Sequence, residues 1–253
     1  MVKKAGFIAS NSYDHVHVER TLLLNEIDEE LARGGIVTLC GPWGYGKSDL
    51  LDTYARIVHT KTPMRPIVRV DFESYEAQAF LRGNPAPLEG RLAREARSAL
   101  WLVDSCGAGN GDAGEPEPPA RRCVAREATG CDASPEVLLL STAARALAPG
   151  WVARFKRRAR CAEPSFGEMP LVVLDNLPAF EEQRAAEFVG LLRRWVQYGA
   201  RVLMACGPSA LLGSFLLPEA HVVPAPRLAV SAEEMAKWVC ELNLADGREL
   251  EEL

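Results

Sequence analysis

Two kinds of apolar pattern alternate along the chain, and they predict alternating strands and helices. Short continuous apolar runs predict buried strands, and apolar residues with a spacing of three or four predict amphipathic helices. The predicted strands are 35–40, 66–72, 171–176, 200–206 and 220–225. The predicted helices are 19–33, 47–58, 87–103, 136–148, 179–199, 209–217 and 231–242. This alternation predicts an α/β fold with a doubly wound, mostly parallel five-stranded sheet and flanking helices.

The same pattern divides the chain into three parts. Residues 1–34 form an N-terminal segment and helix, 35–230 form the α/β core, and 231–253 begin a helical lid. Within the core, residues 104–136 are dense in Gly, Ala, Pro and acidic side chains, so they are predicted to be a mobile insertion. The last helix is expected to start with a capping box formed by Ser231 and Glu234.

The stretch "GPWGYGKSDL" at 41–50 matches the phosphate-loop pattern G-x-x-x-x-G-K-[ST] without a gap. It lies between an apolar strand and an amphipathic helix, which is the context that the pattern requires. Gly44 and Gly46 allow the backbone to turn so that successive N–H groups point at phosphate oxygens. Lys47 is predicted to reach the β- and γ-phosphates, and Ser48 to offer its hydroxyl to Mg²⁺.

We therefore predict ATP and Mg²⁺ as the cofactors of this loop. The predicted cofactor-binding residues are Gly41, Gly44, Tyr45, Gly46, Lys47, Ser48 and Asp49. Trp43 and Tyr45 occupy variable positions of the loop, and we expect them to pack against the protein rather than to stack on a base.

An acidic residue at the end of a neighbouring strand is needed to hold the magnesium ion, and Asp175 closes the apolar run "LVVLD". Asp175 is therefore predicted to share the metal with Ser48, and Asp71 at the end of the second strand is the alternative. Asn176 follows Asp175 where many ATPases place a carboxylate. An amide holds a water by hydrogen bonds but cannot accept its proton, so slow hydrolysis is expected. The predicted catalytic residues are Asp175 and Asn176.

Three other carboxylates are alternatives for orienting the attacking water. Glu73 follows the second strand, and Glu181 and Glu182 lie at the start of the helix after Asp175. None of them has a position that selects it as the base.

The chain resembles the signal-transduction ATPases with numerous domains, the STAND branch of the AAA-like P-loop NTPases. More narrowly, it is similar to the ATPase module of LuxR-type, maltose-regulator-like transcription factors. The resemblance is carried by "LLNEIDEELARGGIVTLCGPWGYGKSDLL", "LVVLDNLPAFEEQ", "ARVLMACGPSALL" and "LAVSAEEMAKWV". It implies a five-stranded P-loop NTPase core that binds ATP with Mg²⁺ and switches a regulator between two forms.

The chain departs from that family at two positions of the site and at its end. Asn176 replaces a second acid, and Cys206 and Gly207 stand where an arginine that senses the γ-phosphate is frequent. The sequence stops soon after the lid begins, so we expect an excised module or a regulator reduced to its nucleotide core. A protein partner or further domains of a longer chain are then expected to receive the signal.

Composition and charge narrow the class of protein. The net charge of −5 argues against a protein built to coat nucleic acid, and direct DNA contact is not expected. No apolar run reaches the ~20 residues of a membrane helix. Seven scattered cysteines indicate reduced thiols in the cytoplasm.

Two residue clusters suggest other sites. The cations within 151–161 could contact a phosphate or a nucleic acid, or offer an arginine finger to a neighbouring subunit. The interpretation that we prefer is a solvated helix end. A zinc site would need paired cysteines, and the candidates lack any C-x-x-C spacing; they are Cys106, Cys123, Cys131 and Cys161.

The favoured function is an ATP-binding regulatory module in signalling or transcription, with weak nucleoside-triphosphate hydrolysis. One alternative is a small-molecule kinase, which shares the loop but needs a second substrate pocket. The other is an AAA-type ATPase that acts on nucleic acid.

Overall fold

The computed structural model describes residues 20–63, 65–107, 133–157, 169–208, 220–232 and 234–236. Five strands are present in this part of the chain: β1 (Ile36–Cys40), β2 (Ile67–Asp71), β3 (Leu171–Leu177), β4 (Arg201–Cys206) and β5 (His221–Pro224). The helices are α1 (Thr21–Gly34), α2 (Lys47–Lys61), α3 (Tyr75–Leu81), α4 (Ala86–Gly107), α5 (Pro135–Leu147), α6 (Pro149–Arg157), α7 (Glu182–Gln197) and α8 (Ala225–Leu228).

The five strands form one sheet in the order β2-β3-β4-β1-β5, and every neighbouring pair is parallel. β4 is the central strand, with β3 and β1 on its two sides, and the apolar residues of β1 and β4 are buried because helices cover both faces of the sheet. The predicted α/β fold class is therefore confirmed, with a sheet that is parallel throughout. In such a parallel sheet the carboxyl ends of all strands meet at one edge.

The core is continuous between the sheet and the helices that cover it. Phe72, which follows β2, meets Phe188 of α7 edge to face with ring centroids 6.3 Å apart. Trp151 of α6 meets Trp195 of α7 in the same geometry at 5.6 Å. The first pair joins α7 to the end of β2, and the second joins α6 to α7; such pairs add about 1 kcal/mol each to the stabilisation from apolar burial.

Three helices were not predicted from the sequence. α3 begins after Ser74, whose hydroxyl accepts a hydrogen bond from the Ala77 N–H and caps the helix. The helix was not predicted because its seven residues show only a weak apolar period. α6 and α8 are short, and α6 overlaps the stretch treated as a solvated helix end.

The predicted insertion 104–136 is described only at its ends. α4 continues to Gly107, and α5 begins at Pro135, so these flanks are helical. The predicted helix 209–217 lies outside the described residues, as does most of 231–253.

By its internal contacts the chain divides into two units. One is Leu24–Ala229, which holds the sheet, and the other combines Met1–Leu23 with Val230–Leu253. In the second unit the expected capping box is present: Glu234 N–H donates to the Ser231 hydroxyl at 3.1 Å, and Ser231 N–H to the Glu234 carboxylate at 2.8 Å. Among the described helices, none has the length and apolar content needed to cross a membrane.

Candidate functional site

The glycine-rich loop joins the end of β1 to the start of α2 at the carboxyl edge of the sheet. Gly44 and Gly46 have φ angles of 84° and 68°, in the left-handed region that glycine adopts without steric cost. Gly46 is also the N-cap of α2, and its carbonyl accepts the first helical bond from Leu50 N–H at 3.0 Å. The loop therefore ends at a helix N-terminus, whose free N–H groups and dipole favour anions.

Lys47 folds back over the loop that precedes it. Its ammonium donates to the carbonyl oxygens of Gly41 and Pro42, both at 2.8 Å. The positive charge is therefore held against the loop backbone, close to the N-terminus of α2.

Gly41 is in close contact with α8. A Cβ atom at this position would lie 3.2 Å from Leu228 Cδ1 and 3.3 Å from Ala225 Cβ. The first glycine of the loop thus packs its main chain directly against the short helix that follows β5.

The two aromatic residues of the loop differ in exposure. Trp43 is 84% exposed and Tyr45 is 38% exposed. The expectation that both pack against the protein is therefore wrong for Trp43, whereas more than half of the Tyr45 surface is covered.

Ser48 and Asp175 meet, as the sequence predicts for a pair that shares a magnesium ion. The Ser48 hydroxyl is hydrogen-bonded to the Asp175 carboxylate, which is 97% buried at the end of β3 with only 3% exposed. Burial raises the pKa of Asp175 above its ordinary value, and the hydrogen bonds from Ser48 and from Asn176 N–H oppose that rise. The carboxylate is costly to keep ionised without a cation.

Asp71 lies beside Asp175, because β2 and β3 pair in parallel with these two residues in register. The nearby Asp71 charge also raises the pKa of Asp175. The two acids that the sequence offered as alternatives are therefore both present at one edge.

Asn176 connects these two acids. Its backbone φ is 50°, and its N–H donates to Asp175 Oδ1 at 2.9 Å. Its side-chain Nδ2 donates to Asp71 Oδ1 at 3.0 Å. The residue predicted to hold the attacking water is thus fixed at both its main chain and its side chain.

Asp52 is a further member of this group of acids, and it was not predicted from the sequence. It follows Ser48 by four residues, so the two share one face of α2. It forms an ion pair with Arg69 of β2, yet burial raises its pKa, and the Asp175 and Asp49 charges add to the rise. The sequence signal that could have identified Asp52 is its i,i+4 spacing from Ser48.

The end of β4 carries a thiol, that of Cys206. Cys206 pairs in register with Cys40 of β1, and the two buried side chains are hydrogen-bonded. Burial raises the pKa of Cys206 to about 12. This strand end therefore offers a neutral group beside the loop.

The remaining candidate residues lie elsewhere. Glu73 is exposed and contributes only its N–H to Asp71 Oδ1, while Glu181 and Glu182 are exposed at the start of α7. Of the four zinc-candidate cysteines, Cys106 belongs to the last turn of α4, and Cys123, Cys131 and Cys161 lie outside the described residues. Of the cationic residues, Arg154, Lys156 and Arg157 belong to α6, and Arg158 and Arg160 lie outside the described residues.

The donors of the site fit a hard cation. A hydroxyl and a carboxylate are oxygen ligands of the kind that Mg²⁺ prefers, usually with water completing its shell. Among the described residues there is no cluster of three or more His, Cys, Asp or Glu side chains arranged to hold a metal by themselves. Ser48 and Asp175 would therefore act together with substrate phosphates and water.

Comparison with known proteins adds little to this description. No protein-family model matches the sequence, and no curated protein matches it. Among solved structures, the crystal structure of Pif1 helicase from Candida albicans is similar, with a TM-score of 0.35 and 14% sequence identity. The match covers 87% of this chain and 40% of the helicase chain, so this chain spans less than half of that protein. The fold assignment rests on the chain's own sheet and loop.

Proposed function

We propose that this chain binds ATP with Mg²⁺ at the loop Gly41–Ser48 and hydrolyses it slowly, as a regulatory ATPase module. One observation carries the proposal: the hydroxyl of Ser48, in the first turn of α2, is hydrogen-bonded to the buried carboxylate of Asp175, near the end of β3. That contact joins a phosphate-binding loop to a metal-binding acid.

The loop provides the groups that recognise phosphate. Backbone N–H groups from Gly44 to Ser48 surround the start of α2, where a triphosphate gains from the helix dipole. Lys47 has its ammonium on two loop carbonyls, and these bonds exchange for charge-assisted bonds to phosphate oxygens when the ligand binds.

Mg²⁺ would be held by Ser48 and Asp175, and its chemistry there is to neutralise the phosphate charge. Asp175 itself gains from the cation. Burial makes its ionised form costly, and a nearby divalent charge reverses that preference.

Slow hydrolysis follows from the groups that surround the γ-phosphate position. Asn176 has an amide where a carboxylate would accept the proton of the attacking water. Cys206 is a neutral thiol at the end of β4, so it supplies no positive charge to the transition state. A site that holds ATP longer than it cleaves it is suited to a conformational switch, read by a protein partner or by further domains in the cytoplasm.

The test is a titration of the purified protein with ATP, ADP and GTP, with and without Mg²⁺, for the wild type and two lysine variants. Lys47→Ala removes the loop ammonium and is expected to weaken Mg·ATP binding about 100-fold, the loss of roughly 2.7 kcal/mol. Lys61→Ala removes the same side chain from the exposed far end of α2 and is expected to leave the affinity unchanged.

Thermal unfolding of both variants checks that the fold is kept. Retention of full ATP affinity in Lys47→Ala would overturn the proposal for the loop. Turnover near a typical enzyme rate of about 10 per second would overturn the slow-switch function.

A further inference from the structure

We propose that Asp71 is a positioning residue for hydrolysis: it orients the side-chain amide of Asn176 so that the amide oxygen receives the attacking water. This inference rests on the proposed function. It assigns a role to a carboxylate that the magnesium site does not use.

The backbone of Asn176 is held in an uncommon conformation. A φ of 50° is in the left-handed region, where few residues other than glycine are found and where asparagine is enriched. Its N–H bond to Asp175 Oδ1 ties the main chain to the metal-binding acid. The side chain therefore leaves the end of β3 in a fixed direction.

The side chain is held by a second acid from a different strand. Asn176 Nδ2 donates to Asp71 Oδ1 at 3.0 Å, across the β2–β3 pair. A carboxylate accepts hydrogen bonds and has none to donate, so the amide nitrogen must face Asp71. The amide oxygen then faces away from Asp71 and remains an acceptor.

Asp71 is itself rigid, which makes it a suitable anchor. Its Oδ1 also accepts the Glu73 N–H at 3.0 Å, and its backbone carbonyl accepts the Ser74 hydroxyl at 2.7 Å. The hydrogen bonds within the turn after β2 therefore hold the Asp71 carboxylate in place independently of Asn176.

The chemistry is hydrolysis of the terminal phosphoanhydride. The Asn176 amide oxygen accepts a hydrogen bond from water, and a lone pair of the water oxygen attacks the γ-phosphorus. A new P–O bond forms and the bond to the β-phosphate oxygen breaks, giving ADP and inorganic phosphate. The proton lost by water goes to a phosphate oxygen, because the amide does not accept it.

The same geometry predicts the effect of an acid at position 176. A carboxylate there would meet Asp71 Oδ1 at hydrogen-bond distance with no proton between them, and like charges at that distance repel. Asn176→Asp alone is therefore expected to displace the side chain and not to accelerate hydrolysis.

The experiment measures single-turnover ATP hydrolysis and, separately, ATP affinity for the wild type and three variants. Asp71→Ala removes the anchor, and we expect the rate to fall at least tenfold with affinity changed less than threefold. Asn176→Asp is expected to be no faster than the wild type. In the exchanged variant Asp71→Asn/Asn176→Asp, the amide at position 71 donates to the carboxylate at position 176. We expect this variant to hydrolyse ATP at least tenfold faster than Asn176→Asp.

Glu76→Gln is the matched control, since it removes a carboxylate five residues after Asp71, within α3, and should leave rate and affinity unchanged. If Asn176→Asp unfolds, the exchanged variant is compared with Asp71→Ala, and a rate no higher than that of Asp71→Ala overturns the inference. Equal rates for Asn176→Asp and the exchanged variant also overturn it, as does a wild-type rate in Asp71→Ala. Absence of ATP binding in the wild type would instead overturn the proposed function.

Discussion

The two ends of the sheet use the same kinds of polar residue in opposite ways. At the amino end, where the strands begin, polar groups are paired with each other or with main-chain carbonyls. At the carboxyl end, where the strands finish, acids crowd together, and an asparagine adopts left-handed backbone.

The amino end shows how polar side chains stabilise a fold. Tyr54 donates to Asp28 at 2.7 Å, Arg65 Nε donates to the Met169 carbonyl at 3.1 Å, and Trp151 Nε1 donates to the Tyr198 carbonyl at 3.1 Å. Each bond joins elements distant in the sequence. Buried polar groups that are paired in this way rigidify the structure.

At the carboxyl end of the sheet, the carboxylates of the candidate site lie in an unfavourable environment. Burial raises the pKa of both Asp52 and Asp175, so each is held in an environment that disfavours its charge. Perturbed carboxylates of this kind are concentrated at functional sites. The comparison teaches that the ligand, rather than the rest of the fold, is expected to stabilise the charges at this end.

Among variants that test this difference between the two ends of the sheet, Asp175→Asn is expected to have the largest effect. In the wild type, Mg²⁺ should increase ATP affinity at least tenfold. The variant should lose most of this increase, because a neutral amide no longer attracts the cation. Without ligand it should melt a few degrees higher than the wild type at pH 7, since the wild type must keep a buried carboxylate ionised. Titration with and without Mg²⁺ and thermal unfolding measure the two effects.

The sign of the pH dependence provides a second check on Asp175. The pKa of Asp175 is higher in the folded protein than its ordinary value of 3.8. Its protonated form therefore stabilises the fold fully below pH 3.8, and this stabilisation is lost as the pH rises through the folded-state pKa. The melting advantage of Asp175→Asn should therefore narrow as the pH falls from 7 toward 4. Glu29→Gln, on an exposed carboxylate of α1, should show no such trend; a constant difference in Asp175→Asn would contradict the assignment.

Next in size are three glycine-to-alanine variants that separate strain from function. Gly35 directly precedes β1 and has a φ of 77°. An added Cβ would lie 2.6 Å from Val196 Cγ1, so Gly35→Ala should cost about 2–4 kcal/mol of stability. Gly44 and Gly83 have φ angles of 84° and 88° with open space around them, so each alanine should cost about 1–2 kcal/mol.

Only Gly44→Ala is expected to weaken ATP binding, by about tenfold, because only that glycine shapes the phosphate loop. Denaturant unfolding measures the stabilities, and nucleotide titration measures the affinities. Weakened binding in Gly83→Ala to the same extent would show that the strain acts through the whole fold.

The smallest effect is expected at the amino end. Tyr54→Phe removes the hydroxyl that donates to Asp28 and should cost about 1–2 kcal/mol, with ATP affinity unchanged. Burial, followed by the bond to Asp28, raises the pKa of Tyr54, so this stabilisation should be constant to about pH 9 and decline above pH 10. Tyr75→Phe, on an exposed ring, should change the stability by less than about 0.5 kcal/mol; a larger cost there would contradict the comparison.

Local patterns were sufficient for the fold and for the phosphate loop. The apolar run ending at Asp175 predicted a buried strand, and the loop glycines predicted the positive φ angles that the structure has. These features depend on neighbours in the sequence, so the sequence shows them directly.

Features that depend on strand pairing were not predictable in the same way. Asp71 and Asn176 are 105 residues apart, and their contact exists only because β2 and β3 align in one register. The exposure of Trp43 likewise depends on where the loop leaves the sheet. Local periodicity carries no information about either.

The contact between Gly41 and α8 has a mechanical consequence. Since Gly41 has no side chain, Ala225 and Leu228 of α8 approach the main chain of the loop so closely that an added Cβ would need them to shift by a few tenths of an ångström. A change in the path of the first loop residue is therefore expected to displace α8.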